Sequence, residues 1–168
     1  TIISNTSLRN GGGKRIDAGT ATLDNCLIMG NEANILNESG STSNAGGGLF
    51  YRGSNSTFIK LANCVFSGNK GQNGAGFAQT TSLFNTSSAE LDNCTFTANS
   101  GASAVARIMG NLTLDNGIVY GNAGTPLTGG TARNCIVEGG YAGPGNLNVN
   151  PLFVNMPSHF LAPTAACN

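Results

Sequence analysis

Charge is what this chain has least of. Only 10% of its 168 residues are charged, against about 25% in an ordinary globular domain. Eight Lys and Arg balance eight Asp and Glu. Nucleic-acid binders and polybasic membrane-surface proteins both need an excess of basic charge, so both classes are excluded. Tryptophan is absent, and histidine occurs once, at His159. Apolar runs extend over only a few residues, so no segment can cross a membrane as a helix. Hydrophobic residues make up 39% of a chain with zero net charge, which is not the composition of a disordered protein. The length allows one domain with its own core.

What is abundant is glycine, at 25 residues, and asparagine, at 23. They fall in repeats. Five segments align without gaps: Leu23-Asp-Asn-Cys-Leu-Ile-Met-Gly-Asn31, Leu61-Ala-Asn-Cys-Val-Phe-Ser-Gly-Asn69, Leu91-Asp-Asn-Cys-Thr-Phe-Thr-Ala-Asn99, Leu114-Asp-Asn-Gly-Ile-Val-Tyr-Gly-Asn122 and Ala132-Arg-Asn-Cys-Ile-Val-Glu-Gly-Gly140. Their starts lie 38, 30, 23 and 18 residues apart. A constant motif with variable gaps implies one structural unit with loops inserted between copies. A second element, Gly46-Gly-Gly-Leu-Phe50, corresponds to Gly74-Ala-Gly-Phe-Ala78 and more loosely to Ala102-Ser-Ala-Val-Ala106. Small residues before an apolar pair suit a tight turn entering a short strand.

Helices are not expected, because Gly, Asn, Thr and Ser are poor helix formers and no stripe at 3.6 spacing persists. Alternation instead predicts two short strands around a turn in each motif. Ala21 and Leu23 face inward; Cys26 and Ile28 resume inward after Asn25, leaving Leu27 and Met29 outward. Three short strands per coil match a parallel β-helix, a solenoid whose coils bury their faces against one another. The expected fold is all-β, a right-handed parallel β-helix of about six coils with inserted loops. The right hand follows the general preference of crossovers. Residues 1–145 form the coils, and 146–168 form a capping or tail segment of the same domain.

Stacking gives the repeated positions a role. Asn25, Asn63, Asn93, Asn116 and Asn134 are expected to form a side-chain ladder at one corner. Cys26, Cys64, Cys94 and Cys135 form a second column just inside. Three readings of that column stay open: buried free thiols acting as small hydrophobes, disulfides between coils, or a metal site. The last lacks any Cys-x-x-Cys spacing or His partner. Cys167 stands apart near the terminus.

The repeats resemble the polymorphic outer-membrane proteins of bacteria. Phe66-Ser-Gly-Asn69 and Phe96-Thr-Ala-Asn99 are similar to their Phe-x-x-Asn motif, and Gly46-Gly-Gly-Leu49 to their Gly-Gly-Ala-Ile motif. Asn146-Leu-Asn-Val-Asn-Pro-Leu-Phe-Val-Asn155 resembles the segment that closes secreted bacterial β-helices, with Asn150 in place of the usual Asp. The resemblance implies a right-handed parallel β-helix and an extracellular or cell-surface location. It does not fix a function, because that fold hosts adhesins, passengers, tailspikes and sugar-cleaving enzymes. Ile2-Ile-Ser-Asn5 matches the second half of the motif. The chain thus starts inside a repeat, as a processed or partial piece of a longer precursor would.

Sugar cleavage on such a fold needs clustered carboxylates, or calcium with a Lys or Arg base. Asp24, Asp92 and Asp115 share one motif position and form a partial outward column, interrupted by Ala62. Glu90 is expected on the other side from Asp92. Gly11-Gly-Gly-Lys-Arg15 lacks phosphate-loop spacing and reads as a turn. No catalytic, metal or cofactor-binding residue is assigned. Leu27, Val65, Ile118 and Ile136 project from one face with Thr95 between them, a candidate partner surface. The sequence therefore predicts a non-enzymatic extracellular or cell-surface structural protein, adhesin-type or fibre-forming. It would assemble with itself or other surface proteins through open ends or the apolar stripe. Two alternatives are a passive spacer and a carbohydrate-binding or polysaccharide-cleaving module. In the latter, Tyr51, Phe58, Tyr120 and Tyr141 are the aromatics available to stack on sugars.

Overall fold

The computed structural model describes residues 1–33, 46–81, 86–107 and 109–154. His159, Cys167 and most of the loop at 32–45 lie outside the described residues. The chain opens with β1 (Ile2–Ile3) and β2 (Thr6–Ser7). Next come β3 (Lys14–Asp17), β4 (Ala21–Asp24), β5 (Leu27–Met29) and β6 (Glu32–Ala33). Four further triplets follow: β7 (Leu49–Gly53), β8 (Thr57–Ala62) and β9 (Val65–Ser67); β10 (Phe77–Thr81), β11 (Ser87–Asp92) and β12 (Thr95–Thr97); β13 (Ser100–Arg107), β14 (Asn111–Asp115) and β15 (Ile118–Val119); β16 (Ala123–Thr128), β17 (Thr131–Arg133) and β18 (Ile136–Val137). Among the described residues there is no helix.

Each triplet contributes one strand to each of three sheets. The first sheet runs β1-β5-β9-β12-β15-β18, the second β3-β7-β10-β13-β16 and the third β4-β8-β11-β14-β17. Every pairing is parallel and joins equivalent positions of successive repeats, for example Leu61 with Leu91 and Phe66 with Phe96. This is the connectivity of a parallel β-solenoid class. The glycine-rich element is in register too: Leu49 pairs with Phe77, and Phe77 with Val105.

The local cause lies in two left-handed corners that bracket five of the six strands of the first sheet, β1 being the exception. Asn25, Asn63, Asn93, Asn116 and Asn134 have φ of 50–55°. Five residues on, Gly30, Gly68, Ala98, Gly121 and Gly139 have φ of 54–76°. Asn and Gly are the residues that enter this region at least cost. Between the corners the strand has room for only two or three residues.

The core is a set of columns. Ile59 and Leu61, Ala89 and Leu91, and Leu112 and Leu114 point inward from the third sheet, and all are buried. Ile28, Phe66, Phe96, Val119 and Val137 continue the core from the first. Stacking in register lays the rings of Phe66 and Phe96 face to face, with centroids 4.7 Å apart. Gly48 shows why the second motif needs glycine: a Cβ there would sit 2.6 Å from the Gly76 carbonyl oxygen and 3.1 Å from Asn69 Cγ.

Candidate functional site

Two rows of asparagine run along the stack. The row expected to form a ladder sits at the first corner, where it is exposed. That expectation is corrected by the structure. Asn25, Asn63, Asn93, Asn116 and Asn134 make no side-chain bonds to one another among the contacts described; their backbone conformation turns the amides outward. Instead, Asn63 Nδ2 donates to Asp24 Oδ1 and Asn116 Nδ2 to Asp92 Oδ1, both at 2.9 Å. The ladder lies six residues on, at Asn5, Asn31, Asn69, Asn99 and Asn122. There the backbone N–H and Nδ2 of Asn31 both donate to Asn69 Oδ1 at 3.0 Å, and those of Asn69 to Asn99 Oδ1 at 3.1 and 3.0 Å. The second Nδ2 hydrogen reaches back one coil: Asn69 donates to the Ile28 carbonyl and Asn99 to the Phe66 carbonyl, each at 2.9 Å. Every amide valence of these buried residues is thereby used. The last position of the Phe-x-x-Asn motif carried this signal.

Behind the first corner stands the cysteine column. Cys64, Cys94 and Cys135 are buried, Cys26 is half-buried, and all four are free thiols. Each points into the stack and donates to nearby carbonyls, as Cys64 does to Ala62 and Cys135 to Arg133. Gly117 replaces cysteine in the fourth repeat and separates Cys94 from Cys135 by one coil. The Cys94 thiol on the next coil lowers the Cys64 thiol below its ordinary range, against the opposing effect of burial. The Cys64 neighbour, with burial, pushes the Cys94 thiol well above the ordinary range.

The outer face of the third sheet carries an open groove of about 660 Å³, lined by Lys60, Glu90, Asp92, Thr113, Asp115, Asn116, Arg133, Asn134 and Pro144. Opposite charges stand at neighbouring register positions across its coils. Lys60 and Glu90 are in-register partners, as are Asp115 and Arg133. Arg133 Nε and Nη2 donate to Asp115 Oδ1 and Oδ2 at 2.8 and 2.7 Å. That fork holds the Asp115 carboxyl below its usual range, with burial opposing. An acid so held stays ionised and has no proton to give at neutral pH. The placement of Glu90 is a second correction. It lies two residues before Asp92 in β11, hence on the same face, and both line the groove. Strand periodicity alone would have found it, and would have marked Arg133 as the basic member of the Asp24–Asp92–Asp115 column.

On the first sheet, Leu27, Val65, Thr95, Ile118 and Ile136 stand in one register row, all half-buried. Leu147 continues the row by bridging to Ile136 and is 55% exposed. Met29, expected outward beside the stripe, is buried. Tyr51 is likewise no surface aromatic: it is fully buried, and its hydroxyl donates to Thr57 Oγ1 at 2.9 Å. Phe58 is exposed, and Tyr120 and Tyr141 are half-buried. The described residues contain no group of three or more His, Cys, Asp and Glu arranged to hold a metal ion. Comparison of the chain with family models, with curated proteins and with solved structures gave no match.

Proposed function

We propose that this protein is a right-handed parallel β-helix of about six coils, of the polymorphic outer-membrane type. In this reading it serves as a non-enzymatic structural element outside the cell or on its surface, adhesin-type or fibre-forming. One observation carries the reading: polar side chains at repeated positions of the wall are engaged with the coil before or after them. Asn31, Asn69 and Asn99 bond along the ladder, Asp92 bonds Asn116, and Asp115 bonds Arg133. Such groups stiffen a stack and leave little to polarise a substrate. The apolar row Leu27–Val65–Ile118–Ile136, extended by Leu147, is the face offered to other copies or other surface proteins; the end coils are the alternative contact.

The test is negative-stain electron microscopy of the native chain, with sedimentation across a concentration series. Regular fibres or side-by-side rods are expected. Introducing Val65→Lys with Ile118→Lys should disperse assemblies built through the row. Isolated short rods at every concentration contradict assembly. The open groove favours a second reading, glycan binding, because it sets Lys60, Glu90, Thr113 and Arg133 around one concave surface. Binding to an arrayed glycan that is lost on Glu90→Ala would move the function there.

A further inference from the structure

Between Leu8 and Leu147, one large apolar side chain among the described residues stands exposed: Phe58, at 41%. Phe58 belongs to β8, and strand alternation puts Lys60 on the same outward face. On the next coil Ser88 and Glu90 hold the matching positions. Lys60 and Glu90 are both exposed, in register and of opposite sign. Elsewhere on the wall, Arg15 pairs with Asp17, Lys70 with Glu32 and Arg133 with Asp115. Lys60 and Glu90 enter no ion pair, and neither side chain makes a hydrogen bond among the described residues. The face thus offers an aromatic ring beside a free cation and a free anion, one strand spacing of about 4.8 Å apart along the stack.

Such a pair is its own complement. A half turn about the strand direction, on an axis between β8 and β11, sets the third sheets of two copies face to face with their stacks antiparallel. Lys60 of each copy then stands over Glu90 of the other. From this geometry we infer that the outer face of the third sheet docks a second copy of this chain through two reciprocal Lys60–Glu90 pairs, with Phe58 beside them. The rest of the face obeys the same axis. Phe58 falls over Ser88, a side chain small enough to receive the ring. Ala62, the gap in the acidic column, falls opposite Asp92, so these acids do not meet. Asp24 falls opposite Asp115, whose charge the Arg133 fork already answers.

Five strands about 4.8 Å apart, the longest of six residues at about 3.3 Å each, make a face roughly 20 Å by 20 Å. That is the scale of a transient contact rather than a permanent one. The zero net charge of the chain leaves no long-range repulsion to oppose it. The inference rests on the assembly reading and names a second face for it, on another side of the rod from the apolar row.

The experiment is sedimentation equilibrium of the full chain at low ionic strength, with circular dichroism to show that each variant is folded. The wild type should associate as concentration rises. Lys60→Glu and Glu90→Lys each set like charges across the interface and should weaken association about tenfold or more. Mixing the two variants in equal amounts should restore it, because every Lys again meets a Glu across the axis. A change confined to one chain cannot produce that rescue. Single reversals that leave association unchanged, or a mixture that stays as weak as its components, overturn the inference while wild-type association keeps the assembly reading. A wild type that stays monomeric at every concentration overturns both. If that monomer binds an arrayed glycan and either reversal abolishes the binding, the face belongs to the glycan instead.

Discussion

The two asparagine rows differ in almost everything except their residue type. The corner row is exposed, takes φ near +50°, and bonds outward to aspartates. The ladder row is buried at Asn31, Asn69 and Asn99, and its side chains close hydrogen bonds from coil to coil. The corner uses asparagine for what its backbone tolerates. The ladder uses it for what its amide can bond. Identical repetition in sequence therefore reports two different physical demands, and substitutions should separate them.

The largest separation is expected from alanine. Asn99→Ala strips Asn69 of the acceptor for its N–H and Nδ2 and removes the side-chain donor to the Phe66 carbonyl. Burying such groups unpaired costs on the order of 3 kcal/mol in all. Asn116→Ala, by contrast, loses one exposed bond and places a Cβ residue in the left-handed region, at about 1 kcal/mol. Urea unfolding of the two variants reads the difference directly. Equal midpoints would mean that the ladder contributes no more than a turn.

A smaller effect belongs to the groove. Asp115 has a lowered folded-state pKa through the Arg133 fork. Its contribution is therefore complete above the ordinary carboxylate value of about 3.9 and is lost as pH falls through the lower folded value. Arg133 is exposed and Asp115 only half-buried, so the loss is shallow. Arg133→Gln should flatten the thermal-midpoint profile below about pH 4 while leaving neutral stability nearly unchanged. An unaltered acid slope would assign that slope to other carboxylates.

Much of the architecture was legible in the sequence. Repeats with variable gaps revealed stacked parallel strands, because only loops can absorb such gaps. The inward columns at Leu61, Leu91 and Leu114 and at Phe66 and Phe96 followed from simple alternation. The ladder was misplaced because invariance at Asn25, Asn63 and Asn93 looked like a side-chain requirement, when it is a φ requirement. Asn31, Asn69 and Asn99 repeat almost as strictly, and only the inward turn after the second corner distinguishes them. The groove was hidden for another reason. Glu90, Asp92, Asp115 and Arg133 come from three repeats, and their pairing depends on register across coils rather than on any local spacing.

The measurement that bears most directly on the account is a pair of glycine substitutions on one coil, Asn69→Gly and Asn63→Gly, compared by equilibrium urea unfolding. Glycine meets the corner's need for positive φ, so Asn63→Gly should stay within about 0.5 kcal/mol of the parent chain. It offers no amide to the ladder, so Asn69→Gly should lose roughly 3 kcal/mol or fail to fold. Losses of similar size at the two positions, or the larger loss at Asn63, would contradict a scaffold held together by its buried ladder.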